Sequence, residues 1–166
     1  TFVEKTPSFG KSLICIDDKN LKSLLSRFKT NNFLTYGFHK NANYQIVNVR
    51  KKINLSIFDL IVKISGNKNY KIKNIRINLL GNHNITNTTA AAAISLNLGI
   101  KVNKIKKALI KFQGIQRRFT KIFSIKKRDF YDDYAHHPTE IMAVIDSVRQ
   151  VYKKSKPFKK RICISI

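Results

Sequence analysis

The chain has 166 residues, a mass of 19.2 kDa, and 33 Lys+Arg against 9 Asp+Glu, which leaves a formal net charge of +24. Hydrophobic residues make up 43%, enough to build a core, and this excludes intrinsic disorder in spite of the charge. No run approaches the about 20 apolar residues of a bilayer span, Thr1 to Lys5 lack a signal-peptide pattern, and two cysteines, Cys15 and Cys163, are too few for a disulfide scaffold. A cytoplasmic location without membrane insertion is expected.

In chain order, Ser12 to Ile16 is an apolar strand ended by Asp17-Asp18. Leu21, Leu24, Leu25 and Phe28 then recur at helical spacing, with Asn20 as the expected N-cap. Phe33 to Tyr36 predicts a second strand stopped by Gly37, and Tyr44, Ile46 and Val49 a third. Ile53–Ile64 and Tyr70–Leu79 flank Gly66-Asn67-Lys68-Asn69 and predict a hairpin. Its second arm is read as alternating through Ile72, Ile75, Ile77 and Leu79.

The texture changes at Gly81. Asn82 to Asn87 lead into four consecutive alanines, Ala90 to Ala93, and Gly99 is placed to end the helix. Asn103 is expected to cap a further helix carrying Ile105, Ala108, Leu109 and Phe112. From Arg118 the pattern is βα. Phe119 to Ile125 and Asp129 to Asp133 predict strands, and Pro138 suits the first helical position. Ile141, Val144, Ile145, Val148 and Tyr152 form one apolar face, and Arg161 to Ile166 read as another strand. Such a unit cannot bury its faces alone, so a longer parent protein is expected.

The positive charge has two readings. One is a basic RNA- or DNA-binding module. Against it, Lys outnumbers Arg 25 to 8, the basic residues are scattered, and 16 Asn accompany them, the pattern of A- and T-rich codon usage. Two clusters carry sharper chemistry. His83, Asn84 and Asn87 stand at a helix start, where N–H groups are unpaired and Asn offers a donor and an acceptor to a nucleobase edge. Plain capping by Asn and Thr is the alternative. Asp132-Asp133-Tyr134-Ala135-His136-His137-Pro138 follows a strand's C-terminal end, where open α/β sheets bind ligands. There Asp can accept from ribose hydroxyls, while Tyr and His can orient a polar substrate; a solvated turn is the alternative. Adjacent histidines are badly spaced to chelate a metal. Arg117-Arg118 offer guanidinium groups to phosphates, and a solvated linker would read the same way. No Walker A loop occurs.

Gly81-Asn82-His83-Asn84-Ile85-Thr86-Asn87-Thr88-Thr89-Ala90-Ala91, Phe112-Gln113-Gly114-Ile115-Gln116-Arg117-Arg118-Phe119 and the run Asp132 to Glu140 together resemble the Mur ligase family. Cys15-Ile16-Asp17-Asp18 and Thr35-Tyr36-Gly37 resemble its alanine-adding branch. A murein-tripeptide recycling ligase of the same family is the alternative. The resemblance implies an α/β fold in two parts. Residues 1–116 would be the second half of a central, ATP-binding domain with a mixed sheet and helices. Residues 117–166 would open a Rossmann-like C-terminal domain with its first βαβ unit.

The resemblance also implies an ATP-dependent ligase of peptidoglycan precursor synthesis. In such an enzyme an acyl phosphate of UDP-N-acetylmuramate is attacked by L-alanine. ATP and Mg2+ would be required, the metal ligands and the P-loop lying outside this stretch, and this stretch alone should be inactive. Asn84 and Asn87, with His83, would contact the nucleotide base, Arg118 the phosphates and Asp133 the ribose. Tyr134 and His136 would face L-alanine, with His136 as the catalytic residue. Pro7-Ser8-Phe9-Gly10 departs from the family's usual P-F-Y-G.

Overall fold

A computed structural model describes residues 2–52, 55–64, 66, 68–115, 120–126 and 128–152. The elements run β1 (Ser12–Cys15), α1 (Lys19–Leu24) with a 3-10 turn over Leu25–Arg27, β2 (Phe33–Gly37), β3 (Tyr44–Lys52), β4 (Leu55–Val62) and β5 (Tyr70–Ile77). Then come α2 (Asn82–Asn97), α3 (Val102–Lys111), β6 (Thr120–Ile125), β7 (Arg128–Asp132) and α4 (Pro138–Tyr152). The first five strands form one mixed sheet in the order β1-β2-β3-β4-β5, parallel from β1 to β3 and antiparallel from β3 to β5. β6 and β7 form a separate antiparallel hairpin.

The inward-facing residues of β3, β4 and β5 explain where the core sits. Tyr44, Ile46, Phe58, Leu60, Val62, Ile72, Ile75 and Ile77 are buried in one cluster with Ile85, Ala92 and Ala93 of α2 and Ile105 of α3. Alanine and threonine on the buried stripe of α2 let this helix lie close to the sheet, and the buried Thr89 hydroxyl donates to the Ile85 carbonyl at 2.8 Å. A smaller cluster of Val3, Ile14, Ile16 and Ala42, with Leu25, Phe28 and Phe33, covers the β1–β2 end.

Several local expectations are corrected. Ile72 and Ile75 are three apart yet both buried, which strict alternation forbids. The register slips between Phe58 and Leu60 opposite them, and Asn74 takes φ 58°. A second slip lies between Val47 and Arg50 of β3, where Asn48 takes φ 53°. Both bulges converge on Asp59, which accepts from Asn48 Nδ2 and from the Asn74 N–H, each at 2.8 Å, and pairs with Lys71 at 3.2 Å. Tertiary partners thus overrode simple alternation.

The cap of α1 is Asp18, not Asn20: its Oδ1 accepts from the N–H groups of Asn20 and Leu21. Asn103 lies inside α3, whose N-cap is Lys101 with no side-chain hydrogen bond. α2 ends as expected, with Gly99 N–H donating to Leu96 O and Ile100 N–H to Ser95 O, a Schellman closure. The expected strand at 161–166 lies outside the described residues.

Gly37 closes β2 for a steric reason. Asp17 accepts from the N–H groups of Phe38 and His39 at 2.8 and 2.9 Å, and a Cβ at Gly37 would stand 2.6 Å from both Asp17 carboxylate oxygens. The loop between β1 and α1 is thereby tied to the loop after β2.

Candidate functional site

The N-terminus of α2 follows Leu79-Leu80-Gly81. Gly81 is the N-cap, with φ 90°, and no side chain caps the helix, which removes the plain capping reading of Asn84 and Asn87. Instead Asn84 Nδ2 donates to the Leu80 carbonyl at 2.7 Å. That bond fixes the amide plane and leaves Oδ1 as the group on offer. Asn87, one turn further, is exposed.

α4 begins as Pro138 suggested. Glu140 Oε2 lies 3.5 Å from the His137 N–H and His137 Nδ1 lies 3.3 Å from the Thr139 N–H, so the turn is closed reciprocally in the manner of a capping box. Asp133 Oδ1 accepts from the Ala135 N–H at 2.8 Å, which pins the loop between β7 and α4. On α4, Ile141, Val144, Ile145 and Val148 are half-buried while Met142, Asp146 and Arg149 are exposed, the apolar stripe the spacing predicts; the Tyr152 side chain lies outside what is described.

These two helix starts face one cavity of about 710 Å³. His83, Asn84, Asn87 and Thr88 of α2 line one side, and Asp133 and Glu140 another. Leu79, Leu109, Phe112 and Ile115 supply apolar wall. Gly114 lines it too, with φ 91°, and a Cβ there would meet Leu79 Cδ2 at 2.9 Å. The fold therefore unites both expected clusters, which are far apart in sequence, around one concave and mostly apolar space with a few polar groups, the usual make-up of a ligand site.

Not every expected residue joins them. Tyr134 and His136 do not line the cavity. They sit on the same loop with rings edge-on at 5.2 Å, and the His136 side chain is 73% exposed. Arg117 and Arg118 lie outside the described residues. Glu140 also lines the cavity; the sequence reading had it as the end of the Asp132 to Glu140 run without a site role, and a Glu two positions after a Pro at N1 was the available signal. Among the described residues no three His, Cys, Asp or Glu side chains converge as a metal site requires, and no helix is long and apolar enough to cross a membrane.

Comparison with known proteins gives a family and a fold. The family model for the Mur ligase middle domain matches residues 1–95. A UDP-N-acetylmuramate–L-alanine ligase of Pelagibacter ubique is 51% identical over 155 residues, 93% of this chain and 33% of that protein. The chain thus spans about a third of the length of the curated relatives it matches. Among solved structures, MurF from Acinetobacter baumannii superposes with a TM-score of 0.70 at 23% identity, covering 87% of this chain and 30% of that one. The UDP-N-acetylmuramate–alanine ligase MurC from Thermotoga maritima gives 0.62 at 24% identity, covering 87% and 31%. The family model covers more than half of the chain, and the chain belongs to the Mur ligase family.

Proposed function

We propose that the chain is the part of an ATP-dependent ligase of peptidoglycan precursor synthesis in which the nucleotide's base and ribose are held, and that the whole enzyme joins L-alanine to UDP-N-acetylmuramate. The observation that carries this reading is the shared cavity, which is lined by Asn84 and Asn87 of α2 together with Asp133. The residues fit an adenosine. Apolar side chains of Leu79, Leu109, Phe112 and Ile115 suit the faces of a base, and the fixed Oδ1 of Asn84 suits an exocyclic amine. Asp133 suits ribose hydroxyls, and His83 lies beside the base. The volume falls within the usual few hundred to about 1,000 Å³ of small-molecule sites.

In this reading ATP supplies the phosphoryl group that activates the muramyl carboxylate before L-alanine attacks. Residues 1–116 belong to the central domain and residues 117–166 to the C-terminal domain, so the cavity lies where the two meet. Tyr134 and His136, on the same loop as Asp133 but outside the cavity, face the L-alanine side, and Arg118 serves the phosphates. The described residues hold no cluster of three His, Cys, Asp or Glu side chains for Mg2+. The L-alanine specificity rests on the 51% identical relative. A cytoplasmic setting follows from substrates of this kind.

Asp133→Ala in the full-length enzyme tests the reading. Loss of a charged hydrogen bond should weaken ATP binding by roughly 1.5–3 kcal/mol, about 10- to 150-fold, with a smaller effect on L-alanine. An unchanged Michaelis constant for ATP in a folded variant would refute it.

A further inference from the structure

One oxygen of Glu140 collects three groups on the loop before α4. Oε2 lies 3.4 Å from the His136 N–H, 3.5 Å from the His137 N–H and 3.7 Å from His136 Nδ1. A helix cap explains only the second of these. The first ties the carboxylate to the His136 backbone and the third leaves it beside the ring, outside hydrogen-bond reach, while the same side chain lines the cavity with Asp133.

His136 Nδ1 is also 3.1 Å from the Tyr134 carbonyl oxygen. A carbonyl accepts only, so in the neutral ring this contact puts the proton on Nδ1 and the lone pair on Nε2. The Tyr134 ring, edge-on to the imidazole, narrows the ring's freedom further. The Tyr134 carbonyl and ring both favour the same orientation of an otherwise exposed histidine.

We propose that Glu140 is a positioning residue for the amine. By holding the His136 and His137 backbone, it keeps Nδ1 on the Tyr134 carbonyl and so presents Nε2 as a hydrogen-bond acceptor to the incoming amino group of L-alanine. This rests on the ligase reading above. Glu140 acts through His136, and its place on the cavity wall sets that orientation next to the nucleotide pocket.

The test has two arms in the full-length enzyme. Ring ¹⁵N chemical shifts of His136, which need no substrate, should show Nδ1–H in the wild type and a shift toward Nε2–H in Glu140→Ala. Kinetically, Glu140→Ala should raise the Michaelis constant for L-alanine about tenfold, with a clearly smaller change for ATP. Glu140→Gln, which keeps an acceptor oxygen at the same reach, should restore most of it. Adding Glu140→Ala to His136→Ala should cause little further loss, because residues acting as a unit are non-additive. Should Ala unfold the turn, Glu140→Asp carries the same comparison, since its carboxylate is one methylene short.

An Nε2–H ring in the wild type, or losses that simply multiply in the double variant, would overturn the proposal. If the tautomer responds to Glu140 but His136→Ala leaves L-alanine kinetics intact, the positioning geometry stands and the role assigned to His136 in the ligase reading falls.

Discussion

Replacing Asp59 by Asn should destabilise the protein by roughly 2.5 kcal/mol at neutral pH. Asp59 is 5% exposed in the middle of the sheet, so burial by itself pushes its carboxyl up. Hydrogen bonds from Asn48 Nδ2 and the Asn74 N–H, with Lys71 at 3.2 Å, outweigh burial and lower the pKa from the usual 3.8 to about 2. One pKa unit is about 1.4 kcal/mol, so the difference corresponds to roughly 2.5 kcal/mol of folding stability. The sign follows from the depressed pKa. The contribution is fully present above 3.8 and is lost as the pH falls through that value toward about 2. Asn keeps the size and one acceptor oxygen but does not titrate in this range. Urea unfolding of both proteins, stepped from neutral pH to about 2.5, should therefore show a gap that closes on the acid side. A gap that stays constant with pH would refute the assignment to ionisation. No gap at neutral pH would refute the pinning of the two bulges by this carboxylate.

Gly37→Ala should cost about 3 kcal/mol in thermal or chemical unfolding, combining a φ of 142° with a Cβ driven onto Asp17. In an Asp17→Ala background it should cost less, because the clash is gone. Gly114→Ala should lower stability by only about 1 kcal/mol, since the atom it meets is the end of the flexible Leu79 side chain. By moving Leu79 into the cavity it should raise the Michaelis constant for ATP, and an unaltered value would show that this wall does not contact the nucleotide. His136→Ala should depress L-alanine-dependent turnover by about 10²–10⁴-fold if the imidazole takes the proton, or mainly raise the L-alanine Michaelis constant if it only positions. Acyl phosphate formation, followed by isotope exchange without L-alanine, should survive, and its loss would move His136 to the nucleotide site.

The sequence by itself determined the element types and the residues with chemical capacity. Hydrophobic period and turn chemistry are short-range, so the hairpin around Gly66, the Gly99 helix end, the Pro138 helix start and the apolar face of α4 were legible without tertiary context. At Asn84, Asn87 and Asp133 residue type alone left plain capping and a solvated turn open, and it was the resemblance to the Mur ligase family that singled these residues out. Tertiary structure decided what depends on partners distant in the chain. The bulges at Asn48 and Asn74 exist because Asp59, on the strand between them, needs donors from both neighbours, and no local pattern on β3 or β5 announces that need. The cap of α1 went to Asp18 because its β-region backbone lets its carboxylate reach two free N–H groups, whereas Asn20 is already helical. Packing of α4 against α2 turned two separate motifs into one cavity and brought Glu140 onto its wall. Which polar groups converge is a property of packed elements in three dimensions, and local propensity carries no record of it.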